Sequence, residues 1–85
     1  MALPISERDE IIITNKSVEL LSELRTSLLA NFPKTWVLLY NDTNDTNEKI
    51  YGIEVMNDLG GRVSEDKDNT IREYIEKFMI ERISS

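Results

Sequence analysis

Four oxygen-bearing side chains stand close together late in the chain, at residues 65, 66, 68 and 69. Carboxylate and amide oxygens are the usual ligands of Mg²⁺ and Ca²⁺, so Glu65, Asp66 and Asp68 are candidate metal ligands, with Asn69 beside them. Acids just before a helix are also favoured by the helix dipole, and this explanation needs no ligand. General acid–base chemistry would require a buried carboxyl with a raised pKa, which a charged loop does not offer. We therefore expect no catalytic residue here.

A second candidate site combines glycines with a cation. Residues 58–62 read Asp-Leu-Gly-Gly-Arg, and consecutive glycines beside Arg62 could turn their backbone N–H groups toward an anion. The pattern matches no phosphate loop or dinucleotide-binding fingerprint. Because Gly-Gly is also common in hairpins, a turn is the preferred interpretation.

The repeated Asn-Asp-Thr of residues 41–48 could be taken for a calcium loop. An EF-hand loop starting at Asp42 would place Asn47 where glycine belongs and Ile53 where the bidentate glutamate belongs. The segment therefore predicts a hairpin loop, because Asn and Asp hydrogen-bond their own backbone and tolerate left-handed conformations.

Composition excludes several classes of function. The chain has no cysteine and no histidine, which removes disulfides, thiolate nucleophiles and the usual zinc ligands. Its net charge is −6, from 16 acids and 10 bases, and this charge repels a phosphate backbone. We expect no cofactor and no nucleic-acid partner. The same acidity suggests a different hypothesis, a surface that imitates nucleic acid and blocks the basic groove of another protein.

Length and apolar patterning favour one small domain spanning residues 1–85, with residues 1–9 as a frayed lead-in. The first residues lack a basic segment followed by a long apolar one, and no run approaches the length of a membrane span. We therefore expect a cytoplasmic protein with no membrane partner.

Residues 35–40, Thr-Trp-Val-Leu-Leu-Tyr, predict the central strand. Period-two geometry sends Trp36, Leu38 and Tyr40 to one face, and Thr35, Val37 and Leu39 to the other. Both faces are apolar, so the sheet needs cover on both sides.

The other elements follow from local signals. Residues 10–14 predict a first strand, and Ser17 caps a helix that Pro33 ends. Residues 49–57 predict a strand whose Gly52 indicates a bulge or a close approach. Residues 62–64 are an optional fourth strand, and Thr70 with Glu73 forms a capping box for the second helix.

These elements predict an α+β domain of order β-α-β-β-(β)-α. It has a short mixed sheet of three or four strands with both helices on one face, and the first two strands run parallel if they pair. Arg25 falls in the apolar arc of the first helix, where its stem would lie over the core.

Two helices cover one sheet face, so one apolar face is left open unless residues 1–14 fold over it. We expect partner binding there, through Trp36, Leu38, Tyr40 and Met56. The expected function is a non-enzymatic protein–protein interaction or regulatory module whose partner is another protein or a second copy, as in a homodimer. The alternative is a divalent-metal-dependent binder or small enzyme using residues 65–68.

Overall fold

The structure is a computed structural model that describes residues 11–84. The expected lead-in at residues 1–9 lies outside this range. Within it, the chain forms three strands and two helices in the predicted α+β order. The strands are β1 (Ile11–Asn15), β2 (Thr35–Thr43) and β3 (Lys49–Asn57), and the helices are α1 (Val18–Asn31) and α2 (Glu65–Ser84).

The three strands form an antiparallel sheet in the order β1-β3-β2. Ile11 lies opposite Val55, and Trp36 lies opposite Met56. β3 is therefore the central strand, and the prediction that residues 35–40 occupy the centre is wrong. The predicted mixed sheet is wrong for the same reason, because β1 and β2 are not neighbours and every adjacent pair is antiparallel.

β3 occupies the centre of the sheet because, within residues 11–84, helices cover only one face of the sheet. A strand in the middle of such a sheet needs one apolar face rather than two. β3 meets this need with Ile53 and Val55 on the covered side, and it carries Gly52 and Glu54 on the other side. Among residues 11–84, neither helix covers the second apolar face of β2, where Trp36 and Leu38 are exposed.

One apolar core joins the covered sheet face to both helices. The core residues come from one face of β3 and from one side of each helix. Both helices lie on the same side of the sheet, since their buried residues belong to the cluster that the sheet face forms. The buried apolar residues are Ile11, Ile13, Leu21, Leu24, Leu28, Val37, Ile53, Val55, Val63, Ile71, Ile75 and Met79.

The ends of α1 follow the sequence signals. The Ser17 hydroxyl oxygen accepts a hydrogen bond from the Leu20 amide at 3.2 Å, which confirms the predicted cap. At the other end, the Phe32 amide donates to the Leu28 carbonyl at 2.7 Å, and Pro33 follows. Proline cannot continue the helix without losing a hydrogen bond, so α1 stops where predicted.

α2 begins five residues earlier than its expected capping box. The Asp68 amide donates to the Ser64 carbonyl at 2.8 Å and closes the first turn. The Thr70 hydroxyl donates to the Asp66 carbonyl at 3.1 Å, one helical turn back, so Thr70 lies inside the helix. The capping-box prediction is therefore wrong. Three acids in the first turn explain the earlier start, because they complement the helix dipole there.

Residues 62–64 form an irregular segment and not the optional fourth strand. Val63 is 4% exposed and packs into the core between the sheet and α2. A single buried anchor is enough to fix this short connection, and the helix starts directly after it.

Within residues 11–84, neither helix is long and apolar enough to cross a lipid bilayer.

Candidate functional site

The side chains of β2 alternate between the core and solvent. Val37 is 7% exposed and faces the helices, whereas Trp36 is 61% exposed and Leu38 is 52% exposed on the opposite face. The sequence predicted one open apolar face unless residues 1–14 folded over it, and it assigned partner binding there to Trp36, Leu38, Tyr40 and Met56. The structure places Trp36, Leu38 and Tyr40 there.

The antiparallel ladder brings residues of β3 alongside this set. Met56 lies opposite Trp36, Glu54 opposite Leu38, and Gly52 opposite Tyr40. All four residues expected to bind a partner therefore share one sheet face within the described part of the chain. We call this surface the open face, and it consists of Trp36, Leu38, Tyr40, Gly52, Glu54 and Met56.

Tyr40 is the most enclosed aromatic side chain of the open face. Its ring lies over Gly52, where an added β-carbon would stand 2.5 Å from the ring Cζ. Gly52 therefore marks a close approach, as predicted, and the ladder continues through it without a bulge. Burial raises the pKa of the Tyr40 hydroxyl, and the negative charges of Asp42 and Glu54 raise it further.

A groove of about 560 Å³ runs around the edge of β2 and connects the open face to α1. On the open face it is lined by Trp36, Leu38 and Met56, and on the helix side by Arg25 and Leu29. Its walls are mostly apolar, and Arg25 is the one charged side chain among these lining residues.

Arg25 has a role that sequence reasoning missed. Its Nε donates a hydrogen bond of 3.0 Å to the carbonyl oxygen of Val37, at the edge of β2. The helical periodicity of α1 indicated only that the Arg25 stem would lie over apolar surface. No local pattern shows which strand lies beside that part of the helix, so the sequence contained no signal for this bond.

The acidic residues proposed as metal ligands do not form a metal site. Glu65, Asp66 and Asp68 lie in the first turn of α2, and an oxygen of Asp68 accepts a hydrogen bond from the Arg72 guanidinium at 2.6 Å. Among the residues that the structure describes, no three acidic side chains are grouped as a metal site. The dipole explanation accounts for the position of these acids, and the metal-dependent alternative has no geometric support in residues 11–84.

Asn57 organises the turn that follows β3. Its side-chain oxygen accepts hydrogen bonds from the amides of Leu59, at 2.9 Å, and Gly61, at 2.8 Å. The Gly60 amide donates to the Asn57 carbonyl at 3.1 Å, and Gly60 has a φ of 81°. The turn interpretation is confirmed. The three N–H groups that could have formed an anion nest are used within the turn itself.

A second asparagine organises the turn between β2 and β3. The side-chain oxygen of Asn44 accepts from the Thr46 amide at 3.1 Å and from the Glu48 amide at 2.9 Å. The Glu48 carboxylate in turn accepts a hydrogen bond from the Thr46 hydroxyl at 2.7 Å. It also forms a salt bridge of 2.9 Å with the Lys16 ammonium group. These two contacts, led by the Thr46 hydrogen bond, lower the pKa of Glu48 to about 2. The hairpin prediction is confirmed, although residues 41–43 extend β2 instead of belonging to the loop.

Comparison with protein-family models, with curated proteins and with solved structures finds no match to this chain.

Proposed function

We propose that this chain is a non-enzymatic interaction module of the cytoplasm that binds a protein through its open face. One observation carries the proposal. Trp36 and Leu38 lie two residues apart on a strand, on a sheet face that neither helix covers, and they are 61% and 52% exposed.

The cost of leaving these side chains in water supports the proposal. An aromatic side chain can bury on the order of 150–250 Å², and a tryptophan that is more than half exposed forgoes much of that burial. Aromatic residues and methionine are enriched at the centres of protein interfaces, where a few large side chains supply most of the binding free energy. Trp36 and Met56 lie side by side in the ladder and match this composition.

The charges around the open face also fit an interface. Glu54 lies on it, opposite Leu38, and Asp42 follows Tyr40 on the same side of β2. Carboxylates at the margin of an apolar patch disfavour unselective association and select partners with complementary cations.

The test compares binding by single surface variants of the full chain. Wild-type protein and Trp36→Glu are each immobilised and exposed to an extract of the cells that produce the chain, and self-association is followed by sedimentation. Trp36→Glu is expected to lose an association that the wild type shows, because the substitution places a charge at the centre of the patch.

Ile80→Glu is the matched control. Ile80 is 48% exposed on α2, so the same substitution changes net charge equally at an exposed apolar site away from the open face. The proposal is supported by an association that Ile80→Glu keeps and Trp36→Glu loses. It is overturned if Trp36→Glu changes no association, either with another protein or between copies.

A further inference from the structure

Within residues 11–84, β2 lies at one edge of the sheet. Two hydrogen bonds identify its outward backbone groups. The Val37 carbonyl accepts from Arg25, and the Thr35 amide donates to the Phe32 carbonyl instead of joining the ladder. Alternate residues of an antiparallel strand direct their N–H and C=O groups to the same side. The outward set is therefore Thr35, Val37, Leu39 and Asn41.

We propose that two copies of this chain pair along their β2 edges, antiparallel and about a two-fold axis at Leu38, to form one continuous sheet. The inference rests on the proposed function and names its partner as a second copy. An edge strand with unpaired backbone groups is a template for strand addition, and a self-complementary edge closes after one partner is bound.

The sequence of β2 selects one register. When Leu38 faces Leu38 of the second copy, Trp36 faces its Tyr40, and Lys34 faces its Asp42. The Leu38 and Trp36–Tyr40 pairs lie on the open face, because these residues occupy even-numbered positions of the strand. Lys34 lies in the turn directly before β2, next to the first strand residue. The even positions are also the non-hydrogen-bonded pairs of the new ladder, whose side chains approach most closely. Each apolar residue thus meets an apolar residue, and each lysine meets a carboxylate.

The neighbouring registers lose this complementarity. The pairing of the two β2 strands can shift only in steps of two residues. Only these shifts keep the outward N–H and C=O groups of the two strands facing each other. One such shift places Trp36 opposite Asp42, and the opposite shift places Tyr40 opposite Lys34 and Asp42 opposite Phe32. Neither shifted register pairs Lys34 with a carboxylate of β2.

The Arg25 contact is compatible with the pairing. A carbonyl oxygen has two lone pairs, so the Val37 carbonyl can accept from the Leu39 amide of a second copy beside the Arg25 guanidinium. The groove next to this edge is lined by Arg25 and Leu29 of α1 and by Thr35, Val37 and other residues of β2.

Disulfide cross-linking of the full chain tests the register, because the chain has no cysteine of its own. In the proposed dimer the two Leu38 positions are a non-hydrogen-bonded pair with Cα atoms about 4.5 Å apart, within the range for a disulfide. Leu38→Cys should therefore form a covalent dimer under mild oxidation. Met56→Cys is the matched control on the open face. Its two copies would lie three strand spacings, about 14 Å, apart across the sheet and about 13 Å apart along the strands, and should not cross-link.

Exchanging the charges of Lys34 and Asp42 provides a second test of the dimer. Lys34→Glu and Asp42→Lys should each weaken the dimer by about tenfold in sedimentation experiments, because each places like charges opposite at both ends of the paired strands. The double variant Lys34→Glu/Asp42→Lys should recover the wild-type dissociation constant. An equimolar mixture of the two single variants should also recover it, as a heterodimer.

A wild-type chain that stays monomeric at high micromolar concentration overturns this inference. So does a dimer in which Met56→Cys cross-links as readily as Leu38→Cys, since that result shows the sheets packed face to face. In both cases a Trp36-dependent partner in the capture experiment leaves the proposed function standing. If Trp36→Glu changes no association of any kind, the proposed function itself fails.

Discussion

The ring of Tyr40 lies directly over Gly52, its partner in the ladder between β2 and β3. The ring covers the backbone of the central strand at the one position where that strand has no side chain. The contact removes part of the tyrosine from water. It also divides the open face into an enclosed end at Tyr40 and an exposed end at Trp36.

Gly52→Ala should destabilise the domain by about 1–3 kcal/mol, because the new methyl group occupies the space of the Tyr40 ring and displaces it. In a Tyr40→Ala background the same substitution should stabilise the domain by about 0.5 kcal/mol, since glycine is unfavourable within a strand. Urea denaturation of the four proteins of this cycle measures both values. Equal effects of Gly52→Ala in the two backgrounds would show that the ring contact is not responsible.

The free energy of unfolding should fall at alkaline pH because of Tyr40. Burial, assisted by Asp42 and Glu54, raises its pKa above 10.0. A raised pKa means that the folded state favours the neutral phenol. The stabilisation is fully present below pH 10.0 and is lost as the pH rises through the raised value. Denaturation between about pH 9 and pH 11.5 should show a smaller loss of stability for Tyr40→Phe than for the wild type. If the wild type and Tyr40→Phe lose the same stability over this pH range, then Tyr40 is not the cause of the loss.

Two adjacent positions on β2 should respond oppositely to the same substitution. Trp36→Glu should keep the fold, with a free energy of unfolding within about 1 kcal/mol of the wild type, because Trp36 is mostly exposed. Val37→Glu should unfold the domain, since it places an unpaired charge in the core. Circular dichroism and thermal melting distinguish the two. If Trp36→Glu unfolds the full chain, then Trp36 is covered by residues outside 11–84.

Glu48 should contribute to stability at neutral pH and lose that contribution in acid. The Thr46 hydroxyl and Lys16 lower its pKa from 4.5 to about 2. A lowered pKa means that the folded state favours the carboxylate, so the stabilisation is present above pH 4.5 and disappears as the pH falls through about 2. An NMR titration of the Glu48 carboxyl measures the pKa directly. Thr46→Ala should move it back toward 4.5, and an unchanged value would show that the hydroxyl is not the main cause.

Millimolar Mg²⁺ or Ca²⁺ should leave the thermal midpoint unchanged. A site on the folded state would raise the midpoint by mass action, but Asp68 is paired with Arg72, and no three acids of residues 11–84 are placed so that they could hold a metal ion. Differential scanning calorimetry with and without each metal makes the comparison. A rise in the midpoint that disappears in Asp68→Asn would restore the metal-dependent alternative.

The sequence predicted elements whose signals are local. The Ser17 cap and Pro33 delimit α1 within the chain itself, and the alternation of Ile53 and Val55 with polar neighbours defines the covered face of β3. The open face was predictable for a related reason. Two amphipathic helices packed on the same side of a sheet leave its other side without helices, and β2 has apolar residues on both of its sides.

The order of the strands was not predictable from these signals. Period-two alternation shows which residues share a face, but it does not choose between β2 and β3 as the partner of β1. That choice depends on pairs between residues that are far apart in the sequence, such as Ile11 and Val55. The same limit applies to Arg25 and the Val37 carbonyl, which meet only because α1 packs beside the edge of β2.

The strand order also sets how the chain can fold while it is being synthesised. β1 emerges from the ribosome first, yet its ladder partner β3 is the last strand to be made. β2 and β3 can close as a hairpin as soon as both are free, whereas Ile11–Asn15 must wait for them. The core still lacks Ile71, Ile75 and Met79 until α2 is complete. Assembly therefore does not follow the order of translation, because β1 is made before β2 and β3 but pairs only after β3, and the core is completed only when α2 has also been made.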